Sequence, residues 1–172
     1  MSNGRTFDDI VLEDLLVSDA IQNNKSIRKT CHITNTDRSS FARISGVIAS
    51  KYGDHGFQGR LRFDLTGASG QSFCAFLGKG MEVTLTGYGN DYVGKGMAGG
   101  KVTVVPPIED QVSKLKSVGN LPSSSGSQFS MVGNTVLYGA TGGNLFVRGR
   151  AGERFAVYIY LMIISDNFTT SL

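Results

Sequence analysis

Reactive side chains are few in this chain, and the glycines around them carry more information than they do. Gly89-Asn90-Asp91-Tyr92-Val93-Gly94-Lys95-Gly96 has the outline of a phosphate loop, in which backbone amides and a lysine cradle phosphates. The outline fails at its last position, where a hydroxyl is needed to hold magnesium and Gly96 has none. A second glycine turn and a strand-like run follow it, not the helix whose N-terminus would face the phosphate. The reading is therefore a structural corner. His32 and His55 have no partner at metal-ligand spacing, and His55 falls in the turn Asp54-His55-Gly56. Ser69 and Ser72 lack the flanking glycines of a nucleophile elbow. Cys31 and Cys74, the only 2 cysteines, each lie in an apolar run and read as buried free thiols. Arg148, Arg150 and Arg154 form a basic edge around Gly149 and Gly152, read as a solvated face, with an anion site or an RNA-binding RGG-like patch as the sharper alternatives. The residues assemble no nucleophile, base and oxyanion donors. The expectation is that no residue here is catalytic, cofactor-binding or metal-ligating.

The elements that would position these residues are written in a repeat. Gly89-Asn90, a short apolar run, Gly96, Gly99-Gly100 and an alternating strand through Val104 recur as Gly133-Asn134, an apolar run, Gly139, Gly142-Gly143 and a strand through Val147. A weaker copy, Gly67-Ala68-Ser69-Gly70, precedes Gln71-Ser72-Phe73-Cys74-Ala75-Phe76. Self-similarity of this kind marks supersecondary units that stack on one another. Strands with glycine turns at each end allow a sandwich, a barrel or a solenoid, and the recurrence favours the solenoid. The expected fold class is all-β, a right-handed parallel β-helix preceded by a short N-terminal helix. Only glycine is expected to accept positive φ at a crowded corner without a steric cost. The corner glycines are Gly67, Gly70, Gly96, Gly99, Gly100, Gly139, Gly142, Gly143, Gly149 and Gly152.

Composition bounds the rest. The chain has 172 residues, 40% of them hydrophobic, with 23 Gly and only 3 Pro, which suits one domain rich in tight turns. A net charge of +3, with basic residues scattered among acidic ones, does not argue for nucleic acid. The acidic opening is the wrong composition for a secretory or organellar leader. The longest apolar run, residues 155–164, is about half of a bilayer span, so no membrane partner is expected.

Asp9 to Asn24 reads as a short amphipathic helix. Residues 42–49 fit a helix or a strand pair. Leu61–Leu65, Met81–Thr86 and Lys101–Val105 alternate as half-buried strands. The domain reading is a connecting segment over 1–30, glycine repeats over 31–157 with a polar surface insertion over about 106–130, and a divergent apolar tail over 158–172. The tail is apolar on both faces. It is expected to fold back across an open end of the stack or to promote aggregation.

The two long glycine blocks, together with Arg148-Gly149-Arg150-Ala151-Gly152-Glu153-Arg154-Phe155-Ala156-Val157 and Asp8-Asp9-Ile10-Val11-Leu12-Glu13-Asp14, resemble the C-terminal glycine-repeat domain of glutamate synthase large subunits. The resemblance covers about residues 7–157. It implies a right-handed parallel β-helix without catalytic residues, packed between glutaminase and FMN-binding synthase domains, in cis or in trans. FMN and an iron–sulfur cluster belong by that resemblance to those other domains. The implied location is intracellular, cytoplasmic or plastid.

The departures are specific. Met1-Ser2-Asn3-Gly4 stands where the family's mature chain opens on a nucleophilic cysteine. Cys74 stands where glycine is more usual. Tyr158 to Ile164 replaces the family's Arg-Asn-Ser continuation, as a truncation or altered reading frame would. The implied function is that of a non-catalytic scaffold, a piece of an oxidoreductase that makes glutamate from glutamine and 2-oxoglutarate. The alternatives are a stand-alone β-helix subunit of another oxidoreductase complex, because related repeats resemble a formylmethanofuran dehydrogenase subunit, or a small anion-binding module at Arg148–Arg154.

Overall fold

The computed structural model describes residues 4–107, 130–156 and 163–164. Every strand pair in it is parallel. Six strands form one sheet in the order β1 (Ile27–Ile33), β2 (Leu61–Ala68), β3 (Met81–Tyr88), β4 (Ala98–Val105), β6 (Gly142–Val147) and β8 (Ile163–Ile164). Two short strands, β5 (Ser130–Val132) and β7 (Arg150–Ala151), pair as a second sheet.

Alternation along the strands builds the core. Leu61, Phe63 and Leu65 point inward from β2, and Met81, Val83 and Leu85 do so from β3. Register stacks these into columns. Phe63 pairs with Val83, Val83 with Val102 and Val102 with Leu145, while Leu65, Leu85, Val104 and Val147 form a parallel column. All eight of these side chains are buried. Burying a side chain of this size contributes roughly 1.5–3 kcal/mol, and such columns are what each repeat gains by stacking.

Partners show how much chain each rung uses. From Leu61 to Met81 the chain advances 20 residues. From Ile27 to Leu61 it advances 34. The extra length holds a helix, so residues 42–49 are helical and not a strand pair.

The fold is thus mixed α/β and not an all-β stack with one leading helix. It has three α-helices, α1 (Phe7–Glu13), α2 (Leu15–Gln22) and α3 (Ala42–Tyr52), among the described residues. The single helix expected over Asp9–Asn24 is broken in two at Asp14. That residue is extended (φ −67°, ψ 123°), ends α1, and caps α2 by accepting from the N–H groups of Leu16 and Val17. Thr6 and Asp9 form a reciprocal capping box at the start of α1.

The helices close the stack beside β1. Phe7, Val11, Val17, Ala20, Ile21, Ile44 and Ile48 join the same core as the strand columns. Phe41 sits at their junction, with ring centroids 5.4 Å from Phe7, 5.1 Å from Phe63 and 5.9 Å from Phe73. On β1 the core-side positions are Ile27, Lys29 and Cys31, all half-buried, and Ile33, which is buried. Lys29 ion-pairs with Asp14 from the α1–α2 junction. A charged side chain turned toward a covering helix pair blunts a sheet edge against further strand addition.

From Lys101 to its partner Asn144 the chain advances 43 residues. The insertion expected over 106–130 falls in this interval, and most of it lies outside the described residues. Of the apolar tail, only Ile163–Ile164 is described. It pairs in parallel with Asn144 and Leu145 of β6, and the rest of the expected tail lies outside the described residues.

Candidate functional site

The built feature among the described residues is a row of corners in which each turn-and-strand repeat, or coil, keeps one backbone pattern. Ser72, Cys74 and Phe76 take left-handed conformations in one coil. Tyr92, Gly94 and Gly96 do so in the next, Thr135, Leu137 and Gly139 in the third, and Arg154 and Ala156 in the fourth, all with φ between +53° and +68°.

Alternation directs the amides along the stack in opposite senses. The N–H groups of Ser72, Tyr92 and Thr135 donate forward to the carbonyls of Asp91, Asn134 and Glu153 at 2.8, 2.9 and 3.0 Å. Those of Phe76 and Gly96 also donate forward, to Lys95 and Tyr138 at 2.7 and 2.9 Å. Those of Cys74, Gly94, Leu137 and Ala156 donate backward, to Ser40, Phe73, Val93 and Val136. Each of the first three corners is therefore pinned both forward and backward, and the fourth is pinned backward.

Residues other than glycine also hold positive φ at these corners. Eight of these eleven positions carry a side chain. A left-handed conformation costs roughly 1–2 kcal/mol for a residue with a β-carbon. It persists where surrounding structure over-determines it, and here the adjoining coils do so. The sequence signal, a glycine at every corner, misses these residues because their partners lie a full coil away.

The ten expected corner glycines fall into two groups. Gly67, Gly96, Gly100, Gly139, Gly143 and Gly149 have positive φ, whereas Gly70, Gly99, Gly142 and Gly152 do not. Gly99 is instead crowded by backbone, since a β-carbon there would lie 2.8 Å from the Lys79 nitrogen.

The phosphate-loop outline is absorbed into this column. The amides of Gly89, Tyr92, Lys95 and Gly96 donate to Met131, Asn134, Tyr92 and Tyr138 carbonyls, and Gly94 donates to Phe73. They are not free to cradle a phosphate. The Lys95 ammonium lies 5.5 Å from the centre of the Tyr92 ring. The residues present do not fit FMN at this loop. Nor do they fit an iron–sulfur cluster, which takes about four thiolates where the sequence has 2 cysteines.

The remaining candidates are scattered. His32 lies exposed on β1 with its Nδ1 3.5 Å from the Thr66 hydroxyl, and His55 ends the 3₁₀ turn Gly53–His55. Both thiols are free. Burial pushes the half-buried Cys31 up and the fully buried Cys74 far up. Arg148 follows β6, Arg150 lies in β7 and Arg154 in the next corner, and the described residues give none of the three an ion pair. No group of three or more His, Cys, Asp or Glu among the described residues could hold a metal ion. None of the described helices is long and apolar enough to cross a membrane.

Sequence reasoning missed Asp8. It is 3% exposed, and its carboxylate accepts from the Phe41 N–H at 2.6 Å and the Arg43 N–H at 2.8 Å. It thereby caps α3, whose own N-cap, Phe41, is left-handed and offers no side-chain acceptor. Burial raises the Asp8 pKa against the lowering effect of those amides. The nearest sequence signal is only the acidic run that contains it.

The column also exposes apolar surface. Phe76, in the first corner, is 59% exposed and Tyr138, in the third, 45%, with the Tyr92 ring 6.5 Å from Tyr138. Ile10, Leu15 and Leu16 are exposed on α1 and α2.

Residues 8–165 match the family described as the GXGXG motif. The chain is 54% identical over 156 residues to a chloroplastic ferredoxin-dependent glutamate synthase 2 of Arabidopsis thaliana, covering 91% of this chain and 9% of that protein. It is 51% identical, with the same coverage, to a chloroplastic ferredoxin-dependent glutamate synthase of Oryza sativa subsp. japonica. It is 46% identical to ferredoxin-dependent glutamate synthase 2 of a Synechocystis strain, again over 91% and 9%. The chain thus spans about a tenth of the length of these curated relatives. Its repeated glycine blocks and the match over nearly its whole length agree: this chain belongs to the GXGXG-motif family, as a region homologous to the C-terminal domain of glutamate synthase large subunits.

Proposed function

We propose that this chain is a non-catalytic scaffold for a glutamate synthase, folded as a right-handed parallel β-helix. The connecting segment is 1–30, the repeats are 31–157 with the insertion about 106–130, and 158–172 is a divergent tail. The corner glycines serve structure and none of its residues is catalytic, cofactor-binding or metal-ligating. Its partners are the glutaminase and FMN-binding synthase domains, in cis or in trans, with FMN and the iron–sulfur cluster held there. The parent reaction is formation of glutamate from glutamine and 2-oxoglutarate. Ferredoxin, in the relatives' names, is the reductant, and the chloroplastic names favour a plastid.

One observation carries the proposal. The chain keeps 54% identity to a glutamate synthase across 91% of its length, while the amides of its loop that most resembles a nucleotide site are spent on neighbouring coils. The test is reconstitution. The purified chain alone is colourless and has no glutaminase, glutamate synthase or flavin-reducing activity. Mixed with a glutamate synthase lacking the matching segment, it co-elutes with the flavin-containing polypeptide. Stoichiometric FMN or iron–sulfur absorption in the chain alone, or failure to bind that polypeptide, overturns the proposal.

A further inference from the structure

The outer face of the sheet carries a charge imbalance that the scaffold role does not use. One row across four strands reads Arg28, Arg62, Glu82 and Lys101, each paired in register with the next. Arg28 and Arg62 are therefore like charges on adjacent strands about 4.8 Å apart, an arrangement that destabilises a sheet. Arg60 joins them from the residue before β2. With Ser26, Ile27 and Gln58 these arginines line an open cleft of about 470 Å³.

Acceptors are too few for the donors gathered there. Arg28 binds Asp64 through Nε at 2.5 Å and Nη2 at 3.2 Å. Arg62 donates through Nε to Glu82 at 2.9 Å, and Arg60 lies 3.3 Å from the other oxygen of the same carboxylate. Two carboxylates thus face three guanidiniums, and Lys101, the fourth cation of the row, turns its ammonium over the Phe146 ring. Each guanidinium has five N–H donors, so the terminal nitrogens of Arg60 and Arg62 remain available to the cleft. The three guanidiniums of the cleft exceed the two carboxylates by one positive charge, and Lys101, outside the cleft lining, adds a second on the same row.

We propose that Arg28, Arg60 and Arg62 form a binding site for a dianionic phosphate group. A phosphate carries about two negative charges near neutral pH and accepts from planar guanidinium forks, so it closes both the charge and the donor balance. The cleft exceeds the volume of a bare phosphate, which favours a phosphomonoester whose organic part lies along Ser26 and Gln58. The site is separate from the Arg148–Arg154 edge and does not depend on the scaffold role.

The test is titration of the whole chain by calorimetry with inorganic phosphate, glycerol phosphate and glycerol, at ionic strength held constant with chloride. Phosphate and glycerol phosphate are expected to saturate one site, and glycerol to give no heat of binding. Tighter binding of the ester assigns the cleft to a phosphomonoester, and equal binding to the phosphate group alone; both support the site. Arg60→Gln and Arg62→Gln each raise Kd at least tenfold. Glu82→Gln lowers Kd several-fold by removing a competing carboxylate, a gain that a folding defect would not produce. Arg148→Gln leaves Kd unchanged. Absence of saturable binding, weaker binding in Glu82→Gln, or an equal loss in Arg148→Gln overturns the proposal.

Discussion

Gly87 lies in register over Gly67 on the adjacent strand, so close that a β-carbon on Gly87 would overlap the Gly67 carbonyl oxygen. Both have positive φ, +153° and +127°. A side chain at Gly87 therefore meets steric overlap and backbone strain together. Gly87→Ala is expected to destabilise the domain by about 3 kcal/mol or more, beyond the roughly 1–3 kcal/mol that strain alone costs. Gly139→Ala, with φ +66° and open space around it, is expected to cost about 1 kcal/mol. Gly78→Ala, with open space and no positive φ, is expected to be neutral or slightly stabilising. Urea denaturation of the three variants checks the order, and equal effects would remove the stacking argument.

The left-handed side-chain positions respond in the opposite sense. Ser72 has φ +61°, and its amide donates to the Asp91 carbonyl of the next coil. Ser72→Gly keeps that bond and relieves the strain, offset in part by the greater freedom of glycine in the unfolded chain. A gain of about 0.5 kcal/mol is expected. Ser72→Pro removes the donor and cannot adopt the φ, so it is expected to cost about 3 kcal/mol or more. Loss of stability in Ser72→Gly would show that the conformation is not strained.

These two cases mark what the sequence makes legible and what it does not. Strands β2, β3 and β4 show in the alternation of Leu61–Leu65, Met81–Thr86 and Lys101–Val105, because a half-buried strand writes its period locally. The repeat is legible for the same reason. Helix α3 stays ambiguous from its own residues because its cap is Asp8, more than thirty positions away. The break between α1 and α2 has a local signal, an Asp immediately before Leu15-Leu16-Val17, that the longer apolar spacing overrides. The left-handed corners at Ser72, Tyr92 and Leu137 and the Arg28–Arg62 pairing depend on register between coils, which no single segment records.

Asp8 is expected to be among the most sensitive polar residues. Asp8→Ala leaves the Phe41 and Arg43 amides without their acceptor in a site that is nearly closed to water. The expected loss is about 2 kcal/mol. Asp8→Asn keeps an acceptor oxygen and is expected to recover part of it. Thermal unfolding compares the two, and an Asp8→Ala variant as stable as the parent would show that α3 needs no cap from α1.

Asp14 gives the fold a defined acid sensitivity. The Lys29 ammonium beside it, with the Val17 and Leu16 amides, holds its carboxyl below the usual 3.8. The folded state therefore releases this proton more readily than the unfolded chain does. The stabilisation is fully present above about pH 3.8 and is lost as pH falls through the lower folded value. Asp14→Asn retains a capping oxygen but not the charge. It is expected to be less stable than the parent at pH 6, with the gap narrowing as pH falls below 3.8. Denaturation curves at several pH values check this, and a gap that widens on acidification would contradict it.

The two thiols should separate cleanly in their chemistry. The thiolate is the reacting form, so both a raised pKa and a lack of access slow alkylation. Cys31 is half-buried on β1 next to the helix pair, with its pKa raised by burial. Cys74 is closed to solvent, more strongly shifted, and its amide donates backward to the Ser40 carbonyl. Iodoacetamide at pH 8 is expected to modify Cys31 slowly in the folded chain. Cys74 should react only on the timescale of unfolding, and both should react together in denaturant. Peptide mapping after timed alkylation distinguishes them. Equal rates for the two in the folded chain would mean that the corner column opens locally at Cys74, and that its strain is not held by the neighbouring coils.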